Sequence, residues 1–126
     1  MNKKVVLVED DTTMRDLLKT LLEIEGYEAV SFEGVEKNLS EQINNFKPLF
    51  ILIDYHLKRS SGVEILKLLR SDTLNTRPFI LMTSGEDRKD QCMFAGADGF
   101  LLKPFMPDEL INWLHEREET IDLQKD

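Results

Sequence analysis

The chain has one cysteine, two histidines, six glycines and four prolines among 126 residues, and it has no surplus of positive charge. With Cys92 alone, neither an internal disulfide nor a thiolate metal cluster can form, and the residue reads as a small helix side chain. His56 and His115 are isolated, which leaves little for zinc or copper. Sixteen basic against twenty-four acidic residues give a formal charge of −8, a poor match to the basic footprint of phosphate-backbone binding, so no direct nucleic-acid binding is expected. The longest apolar runs span about six residues, well short of the roughly twenty that a membrane helix needs. Met1-Asn2-Lys3-Lys4 leads into a strand pattern and not into a signal-peptide apolar region, so a cytoplasmic protein with no membrane insertion is expected. No repeat, low-complexity stretch or Gly/Ser linker offers a place to cut the chain, and 41% hydrophobic residues suit one globular domain with one core.

What is present is a set of short apolar runs that close on chemical groups. Val5-Val6-Leu7-Val8 runs into Glu9-Asp10-Asp11, Leu49-Phe50-Ile51-Leu52-Ile53 into Asp54, and Phe79-Ile80-Leu81-Met82 into Thr83-Ser84-Gly85. The weaker run Gly99-Phe100-Leu101-Leu102 closes on Lys103-Pro104. Such nearly continuous apolar runs fit strands buried on both faces, as in a parallel sheet covered by helices.

Helical stripes alternate with these runs. Met14, Leu17, Leu18, Leu21 and Leu22 make one apolar face, and Gly26 follows as a stop. Glu28 to Phe32 reads as a short strand, and Val35, Leu39, Ile43 and Phe46 as a second stripe ending before Pro48. Ser61 and Glu64 have the spacing of a capping box at the head of a third helix through Leu69. A fourth helix, from about Asp87 to Ala95, has a thin apolar face. Pro107, Asp108 and Glu109 open a fifth, with Leu110, Ile111, Trp113 and Leu114 inward. Polarity after about Arg117 predicts fraying.

Ligands of open α/β sheets sit outside the carboxyl ends of the parallel strands, so the four strand-end groups should meet in one crevice. Gathering Glu9, Asp10 and Asp54 there is costly, because like charges a few ångströms apart raise one another's pKa. A hard divalent cation offsets that cost; Mg²⁺ fits best, and Mn²⁺ would substitute. Asp54 stands alone at the end of the most apolar run and is the candidate nucleophile, able to form an acyl phosphate. Mg²⁺, the Lys103 ammonium, and the Thr83 hydroxyl or a nearby backbone N–H would then stabilise the three phosphoryl oxygens. Taken singly, each residue also has an ordinary use: a strand-end acid often caps the next helix, and Asp11 is expected to do so.

Together these residues resemble the receiver domain of two-component response regulators, the phospho-acceptor module that partners sensor histidine kinases. The match rests on Val-Leu-Val-Glu9-Asp10-Asp11, Ile-Leu-Ile-Asp54, Leu-Met-Thr83-Ser84-Gly85 and the run from Gly96 through Lys103-Pro104-Phe105. The resemblance implies an α/β fold, a doubly wound five-stranded parallel sheet of flavodoxin-like order 2-1-3-4-5 with five helices, over residues 1–120 with a polar tail at 121–126. It implies Mg²⁺ held by Glu9, Asp10, Asp54 and the backbone carbonyl of His56. Asp54 would accept phosphate from a histidine kinase or phosphotransfer protein, with Thr83 and Lys103 on the phosphoryl group. Thr83 and the aromatic at 100 would form a switch that reshapes the face made by the fourth helix, fifth strand and fifth helix, changing binding to a downstream protein target or to a second copy in a phosphorylation-dependent homodimer. Such a domain is a switch that promotes only its own phosphorylation and dephosphorylation, not an enzyme with an external substrate.

Two departures from the common pattern stand out. Phe100 replaces a frequent tyrosine, so switching by packing remains while a phenol hydrogen bond cannot form. Lys58 replaces a usual proline, predicting a more mobile loop after Asp54. Other readings are a receiver that binds partners without taking phosphate, and a receiver cut from a longer regulator, in which Glu118 onward would begin a linker. A flavin carrier is opposed by Glu9-Asp10-Asp11, which would repel the flavin phosphate. An aspartyl-phosphate hydrolase usually needs a second acid two residues after the nucleophile, where this chain has His56.

Overall fold

The computed structural model describes residues 2–72 and 76–124, with side chains described as far as residue 121. Five strands alternate with five helices: β1 Lys4–Val8, α1 Thr12–Ile24, β2 Glu28–Phe32, α2 Leu39–Phe46, β3 Phe50–Asp54, α3 Gly62–Ser71, β4 Phe79–Ser84, α4 Lys89–Phe94, β5 Gly99–Leu102 and α5 Pro107–Gln124. All strand pairs are parallel, as the apolar runs predict, and the sheet order is β2-β1-β3-β4-β5, as the resemblance implies.

Side chains alternate across each strand, so one apolar run feeds two cores. Val6, Val8, Ile51, Ile53, Ile80 and Met82 lie in one, against α2, α3 and α4. Val5, Leu7, Phe50, Leu52 and Leu81 lie in the other, against α1 and α5. Phe50 is fully buried, with Phe79 at 5.7 Å and Trp113 at 6.1 Å between ring centroids; burying such a side chain is worth about 2–3 kcal/mol. Cys92 is the one buried residue of α4, and burial pushes its thiol pKa up. Among the described residues no helix is long and apolar enough to cross a membrane.

Four local expectations change. Val35 lies outside α2, because the Glu36 carboxylate accepts the backbone N–H groups of Glu33 and Gly34, both at 2.8 Å, and folds that stretch into a loop. Ser61 caps α3 by backbone shape only: its side chain makes no cap hydrogen bond, so the capping box does not form. α5 does not fray after Arg117 but continues to Gln124, taking in most of the expected polar tail; Lys125 and Asp126 lie outside the described residues. Glu118 is the reason. It is buried, and it accepts hydrogen bonds from the Tyr27 hydroxyl and from Lys3 Nζ at 2.9 Å.

Candidate functional site

The crevice is built by the carboxyl ends of β1, β3 and β4 and the loop after β5. Glu9 follows β1, and its N–H donates to the Phe32 carbonyl at 3.1 Å, holding it at the top of the sheet. Asp54 ends β3, in register with Thr83 on β4. Lys103 follows β5; its N–H donates to the Ser84 carbonyl at 2.7 Å, and its peptide bond to Pro104 is cis. Its ammonium lies 3.3 Å from Asp54 Oδ1 and 3.4 Å from Glu9 Oε1. Glu9, Asp54 and Lys103, distant in sequence, therefore form one ionic cluster beside the buried Thr83.

Glu9 is the strained member. It is 3% exposed, and its Oε2 has no hydrogen-bond partner among the described residues. Burial raises its pKa to about 7, the Asp54 charge pushes it the same way, and Lys103 acts against both. An orphaned carboxylate oxygen in a crevice whose acceptor atoms are oxygens suits a hard cation. The other acids are engaged elsewhere. Asp10 Oδ2 accepts the Lys58 N–H, so the residue that stands in place of proline uses the donor proline lacks. Asp11 caps α1, accepting the Met14 N–H at 3.0 Å, as predicted. Among the described residues no three Asp, Glu, His or Cys side chains are grouped to hold a metal ion.

His56 is exposed, 3.5 Å from Glu86 Oε1 by its Nε2, and forms a bridge with Ser61. His115 is exposed on α5. Phe100 is half-buried, in register with Met82 and against the core that contains Cys92. Residues that sequence reasoning did not single out also shape the site. Gly62 lets α3 start against the backbone of Asp54, and Tyr55 holds Thr83 from the adjacent strand through an N–H to carbonyl bond of 2.8 Å. A lone glycine and a lone tyrosine in a loop carry no pattern that would have revealed either.

Comparison with known proteins places this geometry. A family model described as response regulator receiver domain matches residues 5–115. The phosphate regulon transcriptional regulatory protein PhoB of Pseudomonas aeruginosa is 33% identical over 114 residues, covering 88% of this chain and 49% of that protein. The alkaline phosphatase synthesis transcriptional regulatory protein PhoP of Bacillus subtilis is 32% identical over 87% of this chain and 46% of its own length. The chain thus spans about half the length of the curated relatives it matches. A CheY-like response regulator receiver domain protein from Methanospirillum hungatei superposes with a TM-score of 0.84 at 28% identity, covering 98% of this chain and 99% of that one. The BeF3-activated receiver domain of Klebsiella pneumoniae RstA gives 0.78 at 25% identity, over 89% and 95%.

Proposed function

The chain belongs to the response regulator receiver domains, whose general function is phosphoryl acceptance in two-component signalling, and from that premise we propose that Asp54 is its phospho-acceptor. The observation that carries this reading is the Lys103 ammonium poised between Asp54 and the half-orphaned Glu9. The donor would be a phosphohistidine on a sensor kinase or phosphotransfer protein. One oxygen of Asp54 forms a new P–O bond as the donor's P–N bond breaks, and the electron pair leaves with the imidazole nitrogen, which takes a proton from solvent.

Lys103 and Thr83 make different contributions. Once charge moves onto the phosphoryl oxygens, Lys103 can turn from the two carboxylates to one of those oxygens, and the Thr83 hydroxyl can donate to another. Glu9, Asp10, Asp54 and the His56 carbonyl would hold Mg²⁺, with Mn²⁺ a substitute. Asp10 joins that set by releasing the Lys58 N–H. Bound there, the ion supplies positive charge that offsets the clustered carboxylates and phosphoryl oxygens. Drawing Thr83 inward would let Phe100 pack deeper, and the altered α4–β5–α5 face would change the affinity for a protein target or for a second copy. The receiver unit, expected at residues 1–120, would extend to the end of α5 at Gln124 and act as a cytoplasmic switch, not as an enzyme on an external substrate.

The test is the intact mass after incubation with acetyl phosphate and Mg²⁺. One added phosphoryl group, absent in Asp54→Ala and with a chelator, is the expected result. An unchanged mass together with no binding of beryllofluoride would overturn the reading in favour of a receiver that binds partners without phosphate.

A further inference from the structure

Tyr55 directly follows Asp54, and its backbone is fixed at both ends. Its N–H donates to the Thr83 carbonyl at 2.8 Å, and its carbonyl accepts the Gly62 N–H at 3.1 Å. From this anchored point the side chain reaches α4, with its ring edge-on to His56 at 4.7 Å between centroids. Its hydroxyl lies 2.9 Å from Gln91 Oε1, and the Arg88 guanidinium sits over its ring, 5.4 Å from the centroid. Arg88 in turn pairs with Glu86 at 2.9 Å in the loop between β4 and α4.

α4 has little else to hold it. It is six residues long, Cys92 is its one buried residue, and Phe94 is 96% exposed. The Tyr55–Gln91 bond is solvent-exposed, but on a short helix with one buried residue a side-chain hydrogen bond from a rigid point still adds to the restraint. Phe100, the aromatic on the neighbouring strand, has no hydroxyl with which to make such a bond.

We propose that Tyr55 is a positioning residue that straps α4 in its unphosphorylated arrangement through Gln91, and so sets how readily the phosphoryl site can reshape the α4 face. The proposal rests on the phospho-acceptor reading of Asp54. Movement of the Thr83 end of β4 reaches Tyr55 directly, because the two share a backbone hydrogen bond. The strap opposes any arrangement of α4 that separates Gln91 from the Tyr55 hydroxyl, so its removal shifts the population toward the arrangement that binds phosphoryl.

The test compares the full chain with Tyr55→Phe, Gln91→Ala and the double variant; phenylalanine keeps the ring packed and removes only the hydroxyl. Two quantities are read: amide exchange of residues 89–94 in the unmodified protein, and the dissociation constant for beryllofluoride at fixed Mg²⁺. Each single variant is expected to speed α4 exchange and tighten beryllofluoride about five-fold, the factor one net hydrogen bond supplies, and the double variant to do no more than either single. Faster exchange with unchanged or weaker beryllofluoride binding would make Tyr55 merely structural and overturn the proposal, as would fully additive variants. A wild-type chain that binds no beryllofluoride would remove the phospho-acceptor reading and this proposal together, whereas a failed strap with wild-type binding intact leaves that reading standing.

Discussion

Gly62, the first residue of α3, lies against the main chain of Asp54. A Cβ there would be 2.9 Å from both the Asp54 carbonyl carbon and the Tyr55 Cα, and closer still to the Asp54 oxygen. What the site needs at position 62 is empty space: the Gly62 N–H, donating to the Tyr55 carbonyl at 3.1 Å, draws the helix start onto the strand end.

Gly62→Ala therefore pushes Asp54 out of line with Lys103. We expect a loss of about 1–3 kcal/mol, the usual cost of overpacking, and slower phosphoryl uptake. Urea unfolding and a time course of intact mass measure the two effects; wild-type values in both would contradict the packing argument.

Glu9 makes metal-free stability depend on pH. Its pKa is about 7 in the folded protein against 4.5 for an unperturbed glutamate, so between those values the native state holds the extra proton. Stability is then greatest below the window and is lost as pH rises through about 7, by no more than about 3 kcal/mol. Glu9→Gln is expected to flatten the profile and to be more stable than wild type at pH 8 without Mg²⁺. Added Mg²⁺ should restore wild-type stability at pH 8 and bind more weakly below pH 7, where it must displace the proton. A wild-type denaturation profile that is flat from pH 5 to 8 without metal would refute this.

Tyr27 and Glu118 tie α5 to the sheet at the end away from the crevice. Burial, then the hydrogen bond to Glu118, pushes the Tyr27 phenol well above its usual range. Tyr27→Phe takes from one oxygen of a buried carboxylate its one donor among the described residues and is expected to cost about 1–3 kcal/mol. Because Lys3 still holds the other oxygen at 2.9 Å, the fold should survive. Amide exchange in α5 should rise while phosphoryl uptake stays at the wild-type level. Unchanged α5 exchange would show that this contact does not hold the helix.

Arg70 joins three segments. Its guanidinium donates to the Gly96 carbonyl at 2.9 Å, the Pro78 carbonyl at 3.0 Å and Asp98 Oδ2 at 2.7 Å, while the same Asp98 oxygen accepts the Ile80 N–H. Arg70→Met is expected to cost about 2–4 kcal/mol, and Arg70→Lys to recover little of it, since a single ammonium cannot span the fork. Thermal or urea unfolding of the two variants decides; a lysine variant as stable as wild type would show that charge alone suffices.

The sheet was legible because its central strands β1, β3 and β4 are buried on both faces and so spell nearly continuous apolar runs, each closing on a residue of the crevice. Glu9, Asp54, Thr83 and Lys103 could be read from those positions alone. Val35 misled because it falls on the stripe of α2 while the Glu36 carboxylate turns the backbone into a loop. Glu118 misled in the opposite sense: its charge marks a solvated tail, and only the distant Tyr27 and Lys3 make its burial affordable. Gly62 and the bonding of Arg70 were invisible because both depend on backbone atoms brought close by the fold, which leave no periodicity in the sequence.

The central claim is that one carboxylate, Asp54, takes the phosphoryl group. The most direct measurement is borohydride reduction of the protein after brief reaction with acetyl phosphate and Mg²⁺, followed by peptide mapping, since reduction of an aspartyl phosphate leaves homoserine at the acceptor position. The account predicts homoserine at position 54 and at no other acid of the crevice, and none when Mg²⁺ is chelated. Homoserine at position 10 or 11, or a phosphoryl group recovered on a histidine, would contradict it.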